Sequence, residues 1–434
     1  MDILKDPVAF IAKLLTDLLT GIGLPTPVVN VLMLILGVVV VASFCLLLPL
    51  FLIWFERRVV GLMQDRIGPN RVGPEGLLQT IADALKLLIK EDITPDGADK
   101  VVYNISPILS VIAVISMWAV VPFASNIFGT DLNVGALYII SVGSLGTLAI
   151  MLGGWASNNK YALLGAFRTV AQLVSYEVPM ILSLLVPVLL ARSMGMNDIV
   201  WRQDVWFIFL APVSAFIFFT TSVAEVGRTP FDLLEAESEI VAGFHIEYSG
   251  MKFGMFFVAE FLHAFTVGAL TAVLFLGGWR GPGAEQYPIL GVVYFMLKAF
   301  AGYFLVILMR ASLPRIRIDK MLDLNWKFLT PLALASIVFV AVADKAAAPL
   351  ETTLQPGVFP SVRAGILLLV NLILLWLTGQ ILSASARRMR RAEEASAGAG
   401  HPAGRGASGG GDAEHHEEAH AAPAHGEAHA APAH

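Results

Sequence analysis

The sequence carries little charge for its length. Of its 434 residues, 15% are Asp, Glu, Lys or Arg, whereas 56% are hydrophobic, and the mean hydropathy is +0.73. A soluble globular domain is about one-quarter charged, so this composition excludes an ordinary soluble fold and predicts a polytopic membrane protein. The basic residues are scattered among loops rather than gathered in one patch, and we expect no nucleic-acid partner.

Cysteine and the common soluble-enzyme motifs are also scarce or missing. The one cysteine, Cys45, lies in an apolar run and cannot form an intramolecular disulfide or a cysteine-ligated metal or iron–sulfur site. The sequence has no phosphate-binding G-x-x-x-x-G-K-[ST], no nucleotide-binding G-x-G-x-x-G after a strand and no H-E-x-x-H. The N-terminus lacks a basic region before its apolar residues, so we predict no cleaved signal peptide.

Apolar runs of about 20 residues predict an all-α protein with about nine membrane-spanning helices. The predicted spans are residues 28–55, 103–123, 134–156, 172–191, 205–223, 253–277, 288–309, 328–344 and 362–384. With the N-terminus outside, 21 Lys and Arg residues fall on the cytoplasmic side and 7 on the outer side. The positive-inside rule therefore predicts an outer N-terminus and a cytoplasmic C-terminus.

Four segments with different properties follow from this pattern. We predict an N-terminal segment (1–27) with an interfacial helix near 8–19, an eight-span membrane domain (28–344), an additional span with a basic end (345–391) and a disordered tail (392–434) rich in His, Ala and Gly. Residues 77–89 place their apolar side chains on one helical face, which predicts a second interfacial helix.

The segment 224–250 is acidic, although it lies between two long apolar runs. It holds one arginine, Arg228, and six carboxylates: Glu225, Asp232, Glu235, Glu237, Glu239 and Glu247. Thr229 and Pro230 are typical of the first residues of a helix, on which Asp232, Glu235 and Glu239 would share a face. A solvated acidic helix is one interpretation, but the interleaved apolar residues prevent all the acids from facing water.

Clustered carboxylates in a low dielectric cannot all ionise, so such a set can relay protons or respond to a nearby charge. Arg228 is its natural counter-ion. Further ionisable residues lie within predicted spans: Glu177, Glu260, His263 and Lys298. Each could be a single group satisfied by a neighbouring helix, but together with the acidic segment they suggest a polar file that reaches into the bilayer.

A second polar cluster follows the first span. Glu56, Arg57 and Arg58 end that span, and a loop rich in Gly and Pro with Arg66 and Arg71 precedes the interfacial helix. Basic residues beside a span usually serve only as topology signals. Here their position before an amphipathic helix also fits the mouth of a site for an amphiphilic ligand that arrives from the lipid.

Several long motifs lie in order between residues 50 and 332: ERR (56–58), DRIGPNRVG (65–73), ADALKLLIKE (82–91), GWASNNKYALLG (154–165), SYEV (175–178), RTPFDLLEAESE (228–239), EYSG (247–250) and RASLPRIR (310–317). They resemble the motifs of the H-subunit family of NADH:quinone oxidoreductase, the membrane subunits of respiratory complex I that contact the peripheral arm. The chain departs from the family pattern at Val226-Gly227 and at Ile318–Lys320, and its last span and tail extend beyond the usual eight spans.

The resemblance implies a quinone chamber formed with soluble partner subunits and a carboxylate path that couples quinone reduction to proton translocation. By position, Glu56, Arg57, Arg66 and Arg228 would bind or admit the quinone. The path would comprise Asp232, Glu235, Glu237 and Glu239 at the chamber, with Glu225, Glu177 and Glu260 continuing it.

The resemblance also implies partners and a location. The bound substrate would be a quinone, no metal would bind this chain, and NADH, FMN and iron–sulfur clusters would belong to other subunits. Partners would be the peripheral-arm quinone-site subunits, the neighbouring small membrane subunits and lipid, in the plasma membrane of a bacterium. The alternatives are the equivalent component of a membrane-bound hydrogenase or other quinone-linked dehydrogenase, a stand-alone ion transporter, and a structural anchor.

Overall fold

The computed structural model describes residues 7–233, 243–349 and 359–399 of the chain. Within these ranges the protein is all helical and has no β-strand. The chain divides into two units, residues 1–379 and 380–434. The first unit holds the membrane-spanning helices, and of the second unit the structure describes residues 380–399, which are helical.

The helices follow the chain in this order: α1 (Pro7–Gly21), α2 (Thr26–Met63), α3 (Gln79–Ile89), α4 (Lys100–Met117), α5 (Gly135–Ala156), α6 (Lys160–Ala191), α7 (Met196–Trp201), α8 (Phe207–Leu210), α9 (Pro212–Val226), α10 (Gly250–Phe275), α11 (Pro288–Ser312), α12 (Ile318–Leu324), α13 (Thr330–Ala347) and α14 (Phe359–Ala399). A π-helical turn, Asn325–Leu329, joins α12 to α13.

Eight helical stretches in the described ranges are long and apolar enough to cross a membrane. They coincide with eight of the nine predicted spans. The predicted span 205–223 is wrong as a single helix, because it is divided into α8 and the shorter apolar α9. The division lies at Ala211, whose backbone is not helical (φ −140°, ψ 61°). Pro212 follows it and has no N–H to continue the hydrogen-bond ladder.

A side chain from α14 contacts this break. A carbonyl freed inside a bilayer finds no water, so it needs a protein donor. Asn371 on α14 is buried, and its amide donates to the Leu210 carbonyl at 2.9 Å. The last span therefore supplies the hydrogen bond that the divided helix lacks at that carbonyl.

Helices occur at both positions predicted to be interfacial, as α1 and α3. On α3 the apolar side chains of Ile81, Leu85 and Leu88 are exposed, while the helix contacts α2 and α10. An exposed apolar face on an amphipathic helix is typical of a segment that lies in the membrane interface.

The most buried span is α10, which packs against α2, α4, α9 and α11. Its backbone meets α11 at two glycines: a Cβ added to Gly268 would lie 2.5 Å from the Ala299 carbonyl oxygen, and one added to Gly302 would lie 2.8 Å from the Gly268 Cα. On another face, Trp118 donates to the Thr266 hydroxyl at 2.9 Å. These contacts fix α10 at the centre of the first unit, so its polar residues lie away from lipid.

Candidate functional site

The carboxylate of Glu56 lies near the end of α2 in a buried setting and is held by two residues of α11. Glu56 is 4% exposed. The Tyr303 hydroxyl donates to Glu56 Oε2 at 2.8 Å, and the Arg310 guanidinium donates to Glu56 Oε1. Tyr303 and Arg310 are seven residues apart on α11 and therefore share a helical face, which explains how both reach one carboxylate.

Arg228 joins Glu56 to a second buried carboxylate. Arg228 is also 4% exposed. Its Nη2 lies 3.1 Å from Glu260 Oε1, and its Nη1 lies 3.9 Å from Glu56 Oε1. The guanidinium carbon lies 4.5 Å from the ring centre of Phe261, a cation–π contact. We call Glu56, Arg228, Glu260, Tyr303 and Arg310 the arginine–glutamate cluster. Its two carboxylates and two guanidiniums balance in charge.

The backbone around Arg228 is fixed by α6. Gln172 on α6 is fully buried, and its amide donates to the Ala224 carbonyl at 2.6 Å and to the Phe231 carbonyl at 2.7 Å. Gly227 ends α9 with a positive φ of 73°, a conformation that favours glycine. The departure from the family pattern at this position therefore suits the turn that places Arg228.

The predicted helix start at Thr229-Pro230 is wrong within the described residues. The Thr229–Pro230 peptide is cis, and residues 231–233 are not helical. Phe231 is buried, and the Pro230 carbonyl accepts a hydrogen bond from the Ile316 N–H at 3.0 Å. These tertiary contacts override the local capping pattern. Asp232 is half-buried beside them, whereas Glu235, Glu237 and Glu239 lie outside the described residues.

The far side of the acidic segment also rests on α6. A Cβ on Gly165 would lie 2.7 Å from the Gly243 carbonyl carbon, so the two backbones touch. The Tyr248 ring stacks on Tyr103 with centres 4.1 Å apart. Burial raises the pKa of the Tyr248 phenol, which stays protonated and donates to the Tyr103 carbonyl. Gly165 and Gln172 are seven residues apart, so both flanks of 234–242 meet one face of α6.

Two small cavities lie beside the intramembrane acids Glu225 and Glu260. A cavity of about 70 Å³ is lined by Glu225, Glu260 and His263 together with Phe244 and His245. A second, of about 20 Å³, shares Glu225 and His263 in its wall. A volume of about 10–15 Å³ is enough for one water molecule, so both cavities have room for water. Glu177 lies close enough to Glu225 for their charges to interact.

Arg57 and Arg66 lie at the surface, apart from the cluster. The exposed Arg57 donates to Asp83 on α3 at 2.6 Å, and Arg66 donates to Gln64 at 2.7 Å. Burial opposes ionisation of Asp83, but hydrogen bonds from Arg57 and Gln79 and the charges of Arg57 and Lys86 lower its pKa overall. An open cavity of about 360 Å³ lies beside this surface, and its lining includes Arg58 and Arg66.

Lys298 does not join the polar file that the sequence suggested. Its ammonium donates to the carbonyls of Gly278 and Arg280, both at 2.9 Å, and lies over the Trp206 ring. It therefore satisfies the carbonyls of the loop after α10, at the opposite end of that helix from the acidic segment.

Sequence reasoning missed Tyr303, Arg310 and Gln172 as residues of the site. The seven-residue spacing of Tyr303 and Arg310 on one apolar span was a signal that could have found them. Nothing local marked Gln172, because its role depends on the carbonyls of a segment about 50 residues later.

Comparison with known proteins gives a consistent result. The sequence profile of the NADH dehydrogenase family matches residues 36–341. The chain is 48% identical over 338 residues to the NADH-quinone oxidoreductase H subunit of Dehalococcoides mccartyi (strain CBDB1), covering 78% of this chain and 94% of the relative. It is 52% identical over 289 residues to the H subunit of Geobacillus kaustophilus (strain HTA426), covering 66% and 86%.

A third relative is the NADH-quinone oxidoreductase H subunit of Brevibacillus brevis, 48% identical over 295 residues, covering 67% of this chain and 87% of the relative. Among the described residues, no three His, Cys, Asp or Glu side chains converge as a metal site. The family match includes five of the eight spans in full, most of two more, and every residue of the arginine–glutamate cluster. The chain therefore belongs to the NADH dehydrogenase family, as a multi-pass membrane H subunit of NADH-quinone oxidoreductase, the translocase known as complex I.

Proposed function

We propose that this chain contributes the chamber in which a quinone is reduced and carries the first part of the path that couples this reduction to proton translocation. The observation that carries the proposal is the bridge that Arg228 makes between Glu56 and Glu260. One buried guanidinium contacts carboxylates from two different helices, so a change in charge on one side alters its balance with the other.

The quinone side of the proposal rests on the surface near α3. Arg57, Arg66 and the cavity beside Arg58 lie next to an interfacial helix whose apolar face is exposed. An amphiphilic quinone would arrive there from lipid. Glu56 is next to Arg57 in the chain, but its side chain is on the buried face of α2. Glu56, Arg228 and Asp232 would then line the inner end of the chamber, with Glu235, Glu237 and Glu239.

The proton side rests on the intramembrane acids. From the cluster, Glu260 shares a water-sized cavity with Glu225 and His263, and Glu225 leads to Glu177. A quinone takes up two electrons and two protons when it is reduced. Removal of these protons from the carboxylates, or a new negative charge beside Glu56, would change which carboxylate holds a proton.

The remaining components belong to other chains. NADH, FMN and iron–sulfur clusters would be bound by partner subunits, which deliver electrons to the quinone. We infer that the acidic segment lies on the cytoplasmic side of a bacterial plasma membrane, as the excess of Lys and Arg on that side predicts. The peripheral-arm subunits would contact this same side, and small membrane subunits would adjoin the exposed apolar spans.

The test replaces Glu260 with Gln in the intact complex, which keeps the shape but removes the ionisable group. We expect the complex to assemble, while inhibitor-sensitive NADH:quinone reductase activity and proton pumping in membrane vesicles are lost or fall by at least about tenfold. Glu285→Gln is the matched control, because Glu285 is exposed in the loop between α10 and α11. Normal coupled turnover in Glu260→Gln would contradict the proposed path.

Glu235→Gln and Glu239→Gln extend the test to the chamber. We expect both variants to assemble and to lose quinone reduction or pumping. If Glu260→Gln loses quinone reductase activity and pumping while these two variants keep both, the path begins at the arginine–glutamate cluster and not in the segment 234–242.

A further inference from the structure

A second open cavity lies at the other end of the bundle from the arginine–glutamate cluster. Gln172, which supports Arg228, and Leu190, which lines this cavity, are about 18 residues and about 27 Å apart along α6. The cavity has a volume of about 310 Å³, and its lining includes Arg192, Trp201, Arg202, Asp204, Asp344 and Arg363. We call it the arginine cavity. Arg363 belongs to α14, beyond the residues 36–341 that match the family profile.

Both carboxylates of this cavity are already neutralised. Asp344 is 8% exposed and accepts from Arg363 Nε at 2.7 Å, while Arg363 Nη2 lies 2.5 Å from the same carboxylate oxygen. Asp204 accepts from both Nη atoms of Arg280 at 3.1 Å. Arg363 also donates to the Leu190 carbonyl at the end of α6. Each of these two pairs has no net charge.

Two arginines of the lining remain as surplus positive charge. The nearest carboxylate oxygen to Arg192 is Asp344 Oδ2 at 3.8 Å, beyond hydrogen-bond distance, and the Arg192 side chain is 64% exposed. Within the described ranges, no acidic side chain forms an ion pair with Arg202, which is also exposed. The cavity therefore offers two guanidinium groups whose donors are available to an anion.

The surroundings of the cavity are those of a membrane interface. Trp201, in its wall, and Trp206, a few residues on, are both exposed, and the Trp206 ring stacks on the exposed Phe209. Exposed aromatic rings of this kind collect where the hydrocarbon core meets the headgroups. An anion at this depth, beside lipid-facing rings, is most simply a lipid headgroup.

We propose that the arginine cavity binds the phosphate group of an anionic membrane lipid, with Arg192 and Arg202 as its hydrogen-bond donors. A guanidinium fork matches two phosphate oxygens at once, which gives both affinity and orientation. The Arg363–Asp344 pair holds α14 against the wall, so the extra span completes the site. Free inorganic phosphate has the same binding chemistry and differs in lacking acyl chains to rest on Trp201.

The test uses the purified complex after delipidation. Phosphatidylglycerol, phosphatidylcholine and inorganic phosphate are titrated separately, and native mass spectrometry counts retained lipid while the thermal midpoint is recorded. We expect phosphatidylglycerol to bind and to raise the midpoint. We expect Arg192→Gln combined with Arg202→Gln to weaken this binding by about tenfold or more, because two charge-assisted hydrogen-bonding groups are lost.

Two controls keep the result interpretable. Lys345→Gln removes one positive charge at the same end of the bundle, from an exposed residue outside the lining, and should bind phosphatidylglycerol normally. Arg192→Lys with Arg202→Lys should retain part of the binding, which shows that the fold is intact. Equal phosphatidylglycerol binding by the Gln double variant and the unchanged protein would overturn the site. An equal effect of inorganic phosphate would overturn the lipid assignment, as would equal binding of phosphatidylcholine.

Discussion

The arginine–glutamate cluster and the arginine cavity use the same residue types at the two ends of one bundle, yet they differ in charge balance. In the cluster, Arg228 and Arg310 meet Glu56 and Glu260, so every charge has a partner within the protein. In the cavity, Asp344 is shared by Arg363 at 2.5 Å and Arg192 at 3.8 Å, and Arg202 has no carboxylate partner among the described residues, so the arginines outnumber the carboxylates.

Burial explains this difference. An unpaired charge away from water loses its hydration and gains nothing in return, so a buried site must balance its own charges. At the open cavity water can solvate an arginine until a ligand replaces it. The buried arginine–glutamate cluster, whose charges balance, can redistribute protons among its members. The open arginine cavity, which has an excess of positive charge, can bind an anion.

Arg228→Gln should have the largest effect. It leaves two carboxylates buried without their shared cation, and removing one partner of a buried ion pair costs about 3–5 kcal/mol. We expect little assembled complex on native gels and no quinone reductase activity. Arg228→Lys restores the charge but not the planar fork that contacts two carboxylates, and should assemble with reduced turnover. Near-normal activity in Arg228→Gln would show that the bridge is dispensable.

Gln172→Leu should come next, and Gln203→Leu is its counterpart at the other end. Both glutamines are buried and donate to two backbone carbonyls, Gln203 to those of Val273 and Leu274. Leaving a buried carbonyl without its donor costs about 1–3 kcal/mol, so both variants should lower the thermal midpoint. Only Gln172→Leu should also lower the turnover of assembled complex, because Gln172 places Arg228. Equal turnover in the two variants would contradict this role.

Tyr303→Phe should have a smaller effect. It removes one hydrogen bond to Glu56, worth about 1 kcal/mol in net stability, while the Arg310 and Arg228 contacts remain. We expect assembly to be normal and quinone reductase activity to fall by about fivefold, the change in an equilibrium that about 1 kcal/mol produces. The matched control is Tyr294→Phe on the same helix, where the hydroxyl donates to the Pro282 carbonyl near the surface. Activity should be unchanged in Tyr294→Phe. An identical loss of activity in both variants would contradict a specific role for the Tyr303–Glu56 hydrogen bond.

Arg57→Gln should have the smallest effect on stability, below about 1 kcal/mol, because its pair with Asp83 is exposed. The lowered pKa of Asp83 means that this pair stabilises the folded state above the unfolded-state pKa of about 3.9. The contribution disappears as the pH falls through the lower, folded-state pKa. Thermal midpoints of variant and unchanged protein should therefore differ slightly at neutral pH and converge in acid. A constant difference across pH would contradict the pairing.

Hydropathy alone predicted the helices well, because a bilayer forces apolar stretches of fixed length to satisfy their backbone groups internally. It failed at residues 205–223, where Pro212 divides one apolar run into α8 and α9. Periodicity could not show that Asn371, over 150 residues later in the chain, would supply the hydrogen bond at Leu210. The positions of Glu235, Glu237 and Glu239 remain predictions.

The sequence predicted the residue types of the site but only some of the ion pairs that they form. Arg228 was expected to counter the acidic segment, and its observed partners are Glu260 of α10 and Glu56 of α2. The capping pattern at Thr229 predicted that a helix starts there. Residues 231–233 are instead non-helical, because Pro230 and Phe231 make tertiary contacts. Lys298 was grouped with the acids because it also lies in a span, but it binds carbonyls elsewhere.

By itself, the sequence determined that this protein is a helical membrane protein with a costly set of buried ionisable groups, because burial of charge in an apolar chain shows in composition and spacing. Only the tertiary structure decided which charges meet. Ion pairing acts over a few ångströms between side chains from separate helices. Glu56 of α2, Arg228 of the turn that follows α9, and Glu260 of α10 come together because these three elements pack at one point. The same packing left Arg192 and Arg202 without carboxylate partners at hydrogen-bond distance among the described residues.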